Sequence, residues 1–143
     1  HRVEPPAGAK WSADEPSHYG PDGVMTAVIK FLRQRVDACL AAGIPAGRIW
    51  LDPGLGFGKT VADNLTILKR LPQLVDMGYP VLVGPSRKSF LGVVLGGLGV
   101  EERLEATLAA STLALWQGAG ILRVHDVKEA ARAAIVVQAI KAS

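Results

Sequence analysis

"WLDPGLGFGKT", residues Trp50 to Thr60, decides how this chain is read. Its last three residues, Gly58-Lys59-Thr60, invite comparison with the phosphate-cradling loop of nucleotide hydrolases. That loop needs a glycine, four residues and then Gly-Lys-Ser/Thr. Here the opening glycine would have to stand at position 53, which is Pro53. Proline has no N–H and a fixed φ, and the loop works by converging successive N–H groups on phosphates. Gly54, Gly56 and Gly58 are spaced GxGxG, which is not the GxGxxG of a dinucleotide fold. A nucleotide is therefore not the ligand this stretch predicts.

The informative part lies at its front. Ile49 to Leu51 is a short apolar run ended by Asp52 and Pro53-Gly54. A run bounded in this way predicts a buried strand whose ladder stops at the proline. Asp52 then stands at the strand's C-terminal end. Taken alone, Asp-Pro-Gly also suits a turn aspartate that bonds its own backbone.

Outward from this loop, helical and apolar runs alternate. Val24, Val28, Phe31, Leu32, Val36, Cys39 and Leu40 give a helix from Asp22, closed by Gly43 and Pro45. A second helix is expected from about Asp63 to Met77, with Leu65, Leu68, Leu71 and Val75 on one face and Pro72 bending or dividing it. Val81 to Val83 form a second strand, broken by Gly84-Pro85. A helical region from Ser86 to Leu95 follows, then an amphipathic helix over "VEERLEATLAASTLALWQGAG". "ILRVHDV" reads as a third strand and "KEAARAAIVVQAIKA" as a last helix. Strands alternating with helices imply right-handed βαβ units and a parallel sheet. Three strands make a poor free-standing sheet, and a closed (β/α)₈ barrel takes about 250 residues. With 143 residues the chain is either a small α/β domain or part of a TIM barrel. Residues 1–21, rich in Pro, Gly and Ser, read as a loop, and 22–143 as βα units.

Composition narrows the function classes. Half the residues are hydrophobic and the net charge is +3, with no run of Lys and Arg. Nucleic acid and membrane surfaces are therefore not expected partners, while a small anionic substrate is compatible. One cysteine, Cys39, can form no internal disulfide, which fits a cytoplasmic setting.

In α/β folds chemistry gathers at the C-terminal ends of strands. Asp52 ends the first strand, Ser86-Arg87-Lys88-Ser89 follow the second, and the third delivers Arg123, His125 and Asp126. Each has a plainer use: Arg123 as a surface or ion-paired residue, His125 as a structural one, Asp126 and Ser86 as helix caps. That all three exits are polar is what points to a site.

"LDPGLGFGKT", "PVLVGPSRKSFLG" and "GILRVHDV", in this order, resemble the C-terminal signatures of dihydropteroate synthases. The resemblance implies a (β/α)₈ TIM barrel of which this chain carries the last three strands, the N-terminal half being absent. It implies joining of 6-hydroxymethyl-7,8-dihydropterin diphosphate to p-aminobenzoate with release of diphosphate, in folate synthesis and as a sulfonamide target. Asp52 would accept hydrogen bonds from the pterin, and Lys88 would reach its carbonyl side. Phe57 would face the p-aminobenzoate ring, and Ser89 its carboxylate. Arg123 and His125 would bind the diphosphate, leaving Gly84, Ser86 and Arg87 as further substrate contacts. The resemblance implies Mg²⁺, held mainly by the N-terminal half, and a homodimer of the complete enzyme. This chain alone would lack turnover. A pterin-binding methyltransferase barrel and a non-catalytic truncated chain are the other readings.

Overall fold

A computed structural model describes residues 17–20 and 23–143. The predicted entry loop, and Asp22 as a helix start, therefore lie outside the described residues except for a turn over 17–20. The first helix, α1 (Gly23–Ala41), buries Val24, Met25, Val28, Leu32 and Val36, spacings that fall on one side of a 3.6-residue helix. Phe31 and Leu40, expected on that face, are exposed at its margins. Gly43, at φ 83°, ends the helix: its N–H bonds Leu40 O while Ile44 N–H reaches back to Cys39 O. This paired termination needs a left-handed residue, which glycine supplies without cost.

After a 3₁₀ turn over Ala46–Arg48 come α2 (Val61–Lys69) and α3 (Pro72–Val75). The single helix expected from Asp63 to Met77 is thus divided, with Pro72 opening α3 in a first-turn position where its missing N–H is harmless. Ile67, Leu68, Leu71 and Leu74 are buried, whereas Leu65 is exposed. Next come β1 (Leu82–Val83), α4 (Ser89–Val94), a 3₁₀ turn over Val100–Glu102, α5 (Leu104–Trp116), β2 (Ile121–Leu122) and α6 (Val127–Ala142).

The sheet is smaller than expected. β1 and β2 pair in parallel, Leu82 with Ile121 and Val83 with Leu122. The first predicted strand survives as one parallel bridge, Leu51 to Val81, carried by Leu51 N–H to Pro80 O and Leu82 N–H to Leu51 O. Three segments still run side by side in one direction, with residues 81–83 in the middle and fully covered at Val81 and Val83. Their ends consequently deliver Asp52, Gly84 and Arg123 to the same edge of the core.

The expected amphipathic helix from Val100 also differs. It begins only at Leu104, and its buried side is Thr107, Ala110, Ser111 and Ala114, small or polar residues. Leu113 and Trp116 are exposed, as are Ile135, Val136 and Ile140 on α6.

Candidate active site

The first exit is shaped by its own residues. Gly54, Gly56 and Gly58 all have positive φ, which only glycine accepts readily. Asp52 Oδ1 accepts from Gly54 N–H at 2.8 Å, the turn role that Asp-Pro-Gly suggests by itself. Asp52 is exposed, so the rest of its carboxylate is open to solvent. Lys59 Nζ donates back to Gly54 O (2.9 Å) and Phe57 O (3.1 Å), so the lysine ties its own loop. Burial lowers the Lys59 pKa, opposed by Asp52 and Asp63. Thr60 caps α2 in a reciprocal box with Asp63. Asn64, 1% exposed, accepts from Gly56 N–H (2.7 Å) and donates to Thr60 O (2.7 Å). Tyr19 O–H bonds Gly58 O from outside the loop.

The second and third exits are joined to each other. Arg123 N–H bonds Val83 O, and a Cβ at Gly84 would lie 3.6 Å from Arg123 Cβ. Ser86 is buried and pairs with His125 twice. It accepts from the His125 N–H at 3.1 Å and its Oγ lies 2.8 Å from Nδ1. With its oxygen already accepting, the Ser86 hydroxyl proton is free to point to Nδ1. In that arrangement the neutral ring of His125, an exposed residue, carries its proton on Nε2. Ser86 therefore orients the histidine, and its plainer use as a cap of the next helix is not seen.

Arg87 is the one non-glycine residue with positive φ (56°) among those described. An L-residue there costs roughly 1–2 kcal/mol. Its guanidinium, expected to face substrate, grips Asp126 through Nε (3.1 Å) and Nη2 (2.8 Å) and reaches Glu101 through Nη1 (3.1 Å). This fork holds the Asp126 pKa below its ordinary value, the Arg87 hydrogen bond being the main cause. Asp126 precedes α6 but makes no side-chain cap. Lys88 ends this exit with Nζ 4.1 Å from the Phe57 ring centroid, a cation–π distance that joins the first exit to the second. Burial lowers the Lys88 pKa, Arg123 lowers it further, and Asp52 opposes both. Arg123 is exposed, and among the described residues its guanidinium makes no hydrogen bond or ion pair. Ser89 is exposed at the start of α4.

Asp52, Phe57, Lys88, Arg123 and the Ser86–His125 pair thus gather along one edge, with Gly84 giving Arg123 room. Sequence reading did not single out Asn64, Arg103 or Thr107. Asn64 carried a signal, since it shares the buried side of α2 with Ile67 and Leu68. The other two carried none.

Comparison with known proteins bears on this edge. The model of the family described as pterin binding enzyme matches residues 10–125. The dihydropteroate synthase of Streptococcus pyogenes is 50% identical over 102 residues, 71% of this chain and 38% of that one. The Escherichia coli enzyme of the same name is 43% identical over 118 residues, 82% of this chain and 42% of that one. The chain therefore spans about two fifths of the length of these relatives. Dihydropteroate synthase from Xanthomonas albilineans, solved with 7,8-dihydropteroate, superposes with a TM-score of 0.83 at 41% identity over 94% of this chain and 49% of that one. The Yersinia pestis enzyme, solved with a sulfonamide drug, gives 0.84 at 38% identity over 92% of this chain and 46% of that one. With more than half its length matched by the family model and this likeness to dihydropteroate synthases throughout, the chain belongs to the pterin binding enzyme family.

Proposed function

We propose that the chain forms the last three βα units of a (β/α)₈ barrel and that the barrel is a dihydropteroate synthase. It would join 6-hydroxymethyl-7,8-dihydropterin diphosphate to p-aminobenzoate. The observation that carries this reading is the edge itself: three parallel segments end in Asp52, Gly84 and Arg123, and Lys88 reaches back over Phe57 of the first exit. An exposed carboxylate suits the adjacent N–H donors of a pterin, because it offers two acceptors in a charge-assisted pair. Arg123 and the Nε2–H of His125 suit a diphosphate. The reacting carbon is a methylene on a conjugated ring, so positive charge that develops there is delocalised and the C–O bond can break ahead of attack. Catalysis then needs cations on the leaving group and an aligned aniline nitrogen. Phe57 supplies a face for the arylamine ring, and Ser89 a hydroxyl for its carboxylate. A sulfonamide, of the kind solved with the Yersinia pestis enzyme, would occupy the arylamine's place. Arg87 acts through the groups it holds.

Mg²⁺ accompanying the diphosphate belongs to the proposal, but the described residues bring no three His, Cys, Asp or Glu side chains together for it. No step above runs through the ion. A homodimer resting on the exposed apolar sides of α5 and α6 and a cytoplasmic setting complete the reading. Among the described residues no helix is long and apolar enough to cross a membrane. Methyl transfer is less well supported, since it has no diphosphate for Arg123 and His125 to hold.

The test joins this chain to the N-terminal portion of the Escherichia coli relative and follows dihydropteroate formation from the two substrates. The expected result is turnover that Arg123→Ala suppresses, with none from the 143-residue chain alone. A joined protein that is folded, binds 6-hydroxymethylpterin and forms no product would defeat the synthase reading.

A further inference from the structure

Arg87 separates two residues of the proposed site, Ser86 and Lys88, and both sides of its backbone are held from one place. Its N–H donates to Thr107 Oγ1 at 2.9 Å. Its carbonyl accepts from Arg103 Nη1, also at 2.9 Å. Arg103 and Thr107 stand one helical turn apart at the start of α5, so a single helix end grips the left-handed residue above and below. Both holders are themselves fixed. Thr107 is 1% exposed. Arg103 donates through Nε and Nη2 to Leu98 O at 3.0 and 2.9 Å. Space for its guanidinium exists because residue 92 is glycine, where an added Cβ would come within 2.5 Å of Nε.

The grip matters because a residue at φ 56° turns the chain sharply. Ser86, before the turn, points to His125, and Lys88, after it, lies over Phe57. An L-residue released from this conformation relaxes toward the ordinary regions and swings one neighbour relative to the other. We infer that Arg103 and Thr107 are positioning residues, which clamp the Arg87 backbone and thereby aim Lys88 and Ser86 into one site. What that site binds rests on the function proposed above; the aiming itself needs no substrate.

The test is therefore made first on the ligand-free full chain. Lys88 lies close to the Phe57 ring, so the ring current displaces its ε-methylene NMR signal from those of exposed lysines. Lys88→Arg identifies that signal by deleting it. Thr107→Val keeps the buried shape but removes the acceptor, and Thr107→Ser restores it. The expected result is a Lys88 signal that moves to the exposed-lysine position in Thr107→Val and stays in Thr107→Ser. Arg103→Met should move it as well, and it carries the test if Thr107→Val loses its folded dispersion. A signal unmoved in the folded variants overturns the clamp. Titration of the same variants with 6-hydroxymethylpterin separates the two ideas. Affinity should fall about ten-fold in Thr107→Val, as for one misdirected hydrogen-bonding group. A displaced signal with unchanged affinity sustains the clamp and overturns the site reading.

Discussion

The first exit, Asp52 to Thr60, and the second, Gly84 to Ser89, end neighbouring segments and bend as sharply, but by opposite means. The first uses three glycines at positive φ, and its side-chain bonds come largely from within a dozen residues: Asp52 to Gly54, Lys59 to Gly54 and Phe57, Asn64 to Gly56. The second bends at a single strained arginine held by Arg103, Thr107 and Asp126, the last 39 positions away. A loop built on glycine gains conformational freedom and must be tied down locally, whereas one built on an L-residue must be held by the fold around it. The first should therefore fail through lost local ties, and the second through distant changes.

The largest effect should come from the tightest local tie. Asn64→Leu leaves Gly56 N–H without its acceptor and removes a buried donor from Thr60 O. The partly buried Gly56 N–H is left without a partner at about 1–3 kcal/mol, while Thr60 O keeps the Asn64 backbone N–H and loses only one of its two bonds, about 1 kcal/mol. A total loss of roughly 2–4 kcal/mol is expected in denaturant unfolding. An Asn64→Leu chain as stable as its parent would show that the loop is not held from within.

Asp52 carries two tasks, and two substitutions part them. Asp52→Ala removes both the turn bond to Gly54 and the solvent-open acceptors, costing about 2–4 kcal/mol of pterin binding. Asp52→Asn can keep its amide oxygen on Gly54 N–H, so stability should stay near the parent's. Its amide nitrogen then faces pterin donors, and affinity should fall nearly as far. Calorimetric titration of the completed barrel with 6-hydroxymethylpterin decides. If Asp52→Asn binds like the parent, the aspartate serves the turn alone.

The cations of the first and third exits sharpen the contrast further. Lys59 spends its ammonium on its own loop, and among the described residues Arg123 has no such tie. Arg123→Ala should weaken diphosphate binding roughly ten-fold or more. Lys59→Ala should weaken it much less while lowering stability by about 1–2 kcal/mol. The reverse order in diphosphate affinity would revive a nucleotide-type loop despite Pro53.

The same contrast explains what was legible beforehand. The Asp52 turn, the glycine bends and the division of a helix at Pro72 follow from residues adjacent in sequence, and each could be read there. The parallel direction of the three segments also followed, because strands that alternate with helices form βαβ units. The first strand was overestimated, since an apolar run says that a segment is buried without saying how many ladder bonds it makes. The fork that Arg87 makes with Asp126 and Glu101 was not legible, because both partners are remote in sequence. Ser86 and Asp126 were natural caps by position, yet tertiary partners took both side chains. Thr107 and Ser111 on the buried side of α5 break the apolar pattern that periodicity relies on.

The smallest expected effect concerns the charge that ties Arg87 to the third exit. Asp126 is partly buried, with 20% of its side chain exposed against 28% for Arg87, so solvent screens much of the pair. Its pKa lies below the ordinary 3.8, chiefly through the Arg87 hydrogen bond. A depressed carboxylate contributes stability that is complete above its unfolded value and is lost as pH falls through its folded value. Stability contributed by Asp126 should thus be intact at neutral pH and vanish only in acid, below the ordinary 3.8. Asp126→Asn removes this titration. The variant should be slightly less stable than the parent by a constant amount at neutral pH, and the gap should close on acidification. Among the described residues the first exit has no comparable ion pair to the third, so its contribution should not follow this pH course. Denaturant curves for both proteins at a series of pH values measure the gap. A gap that is the same in acid as at neutrality would mean that the Arg87–Asp126 fork does not hold the second exit through its charge.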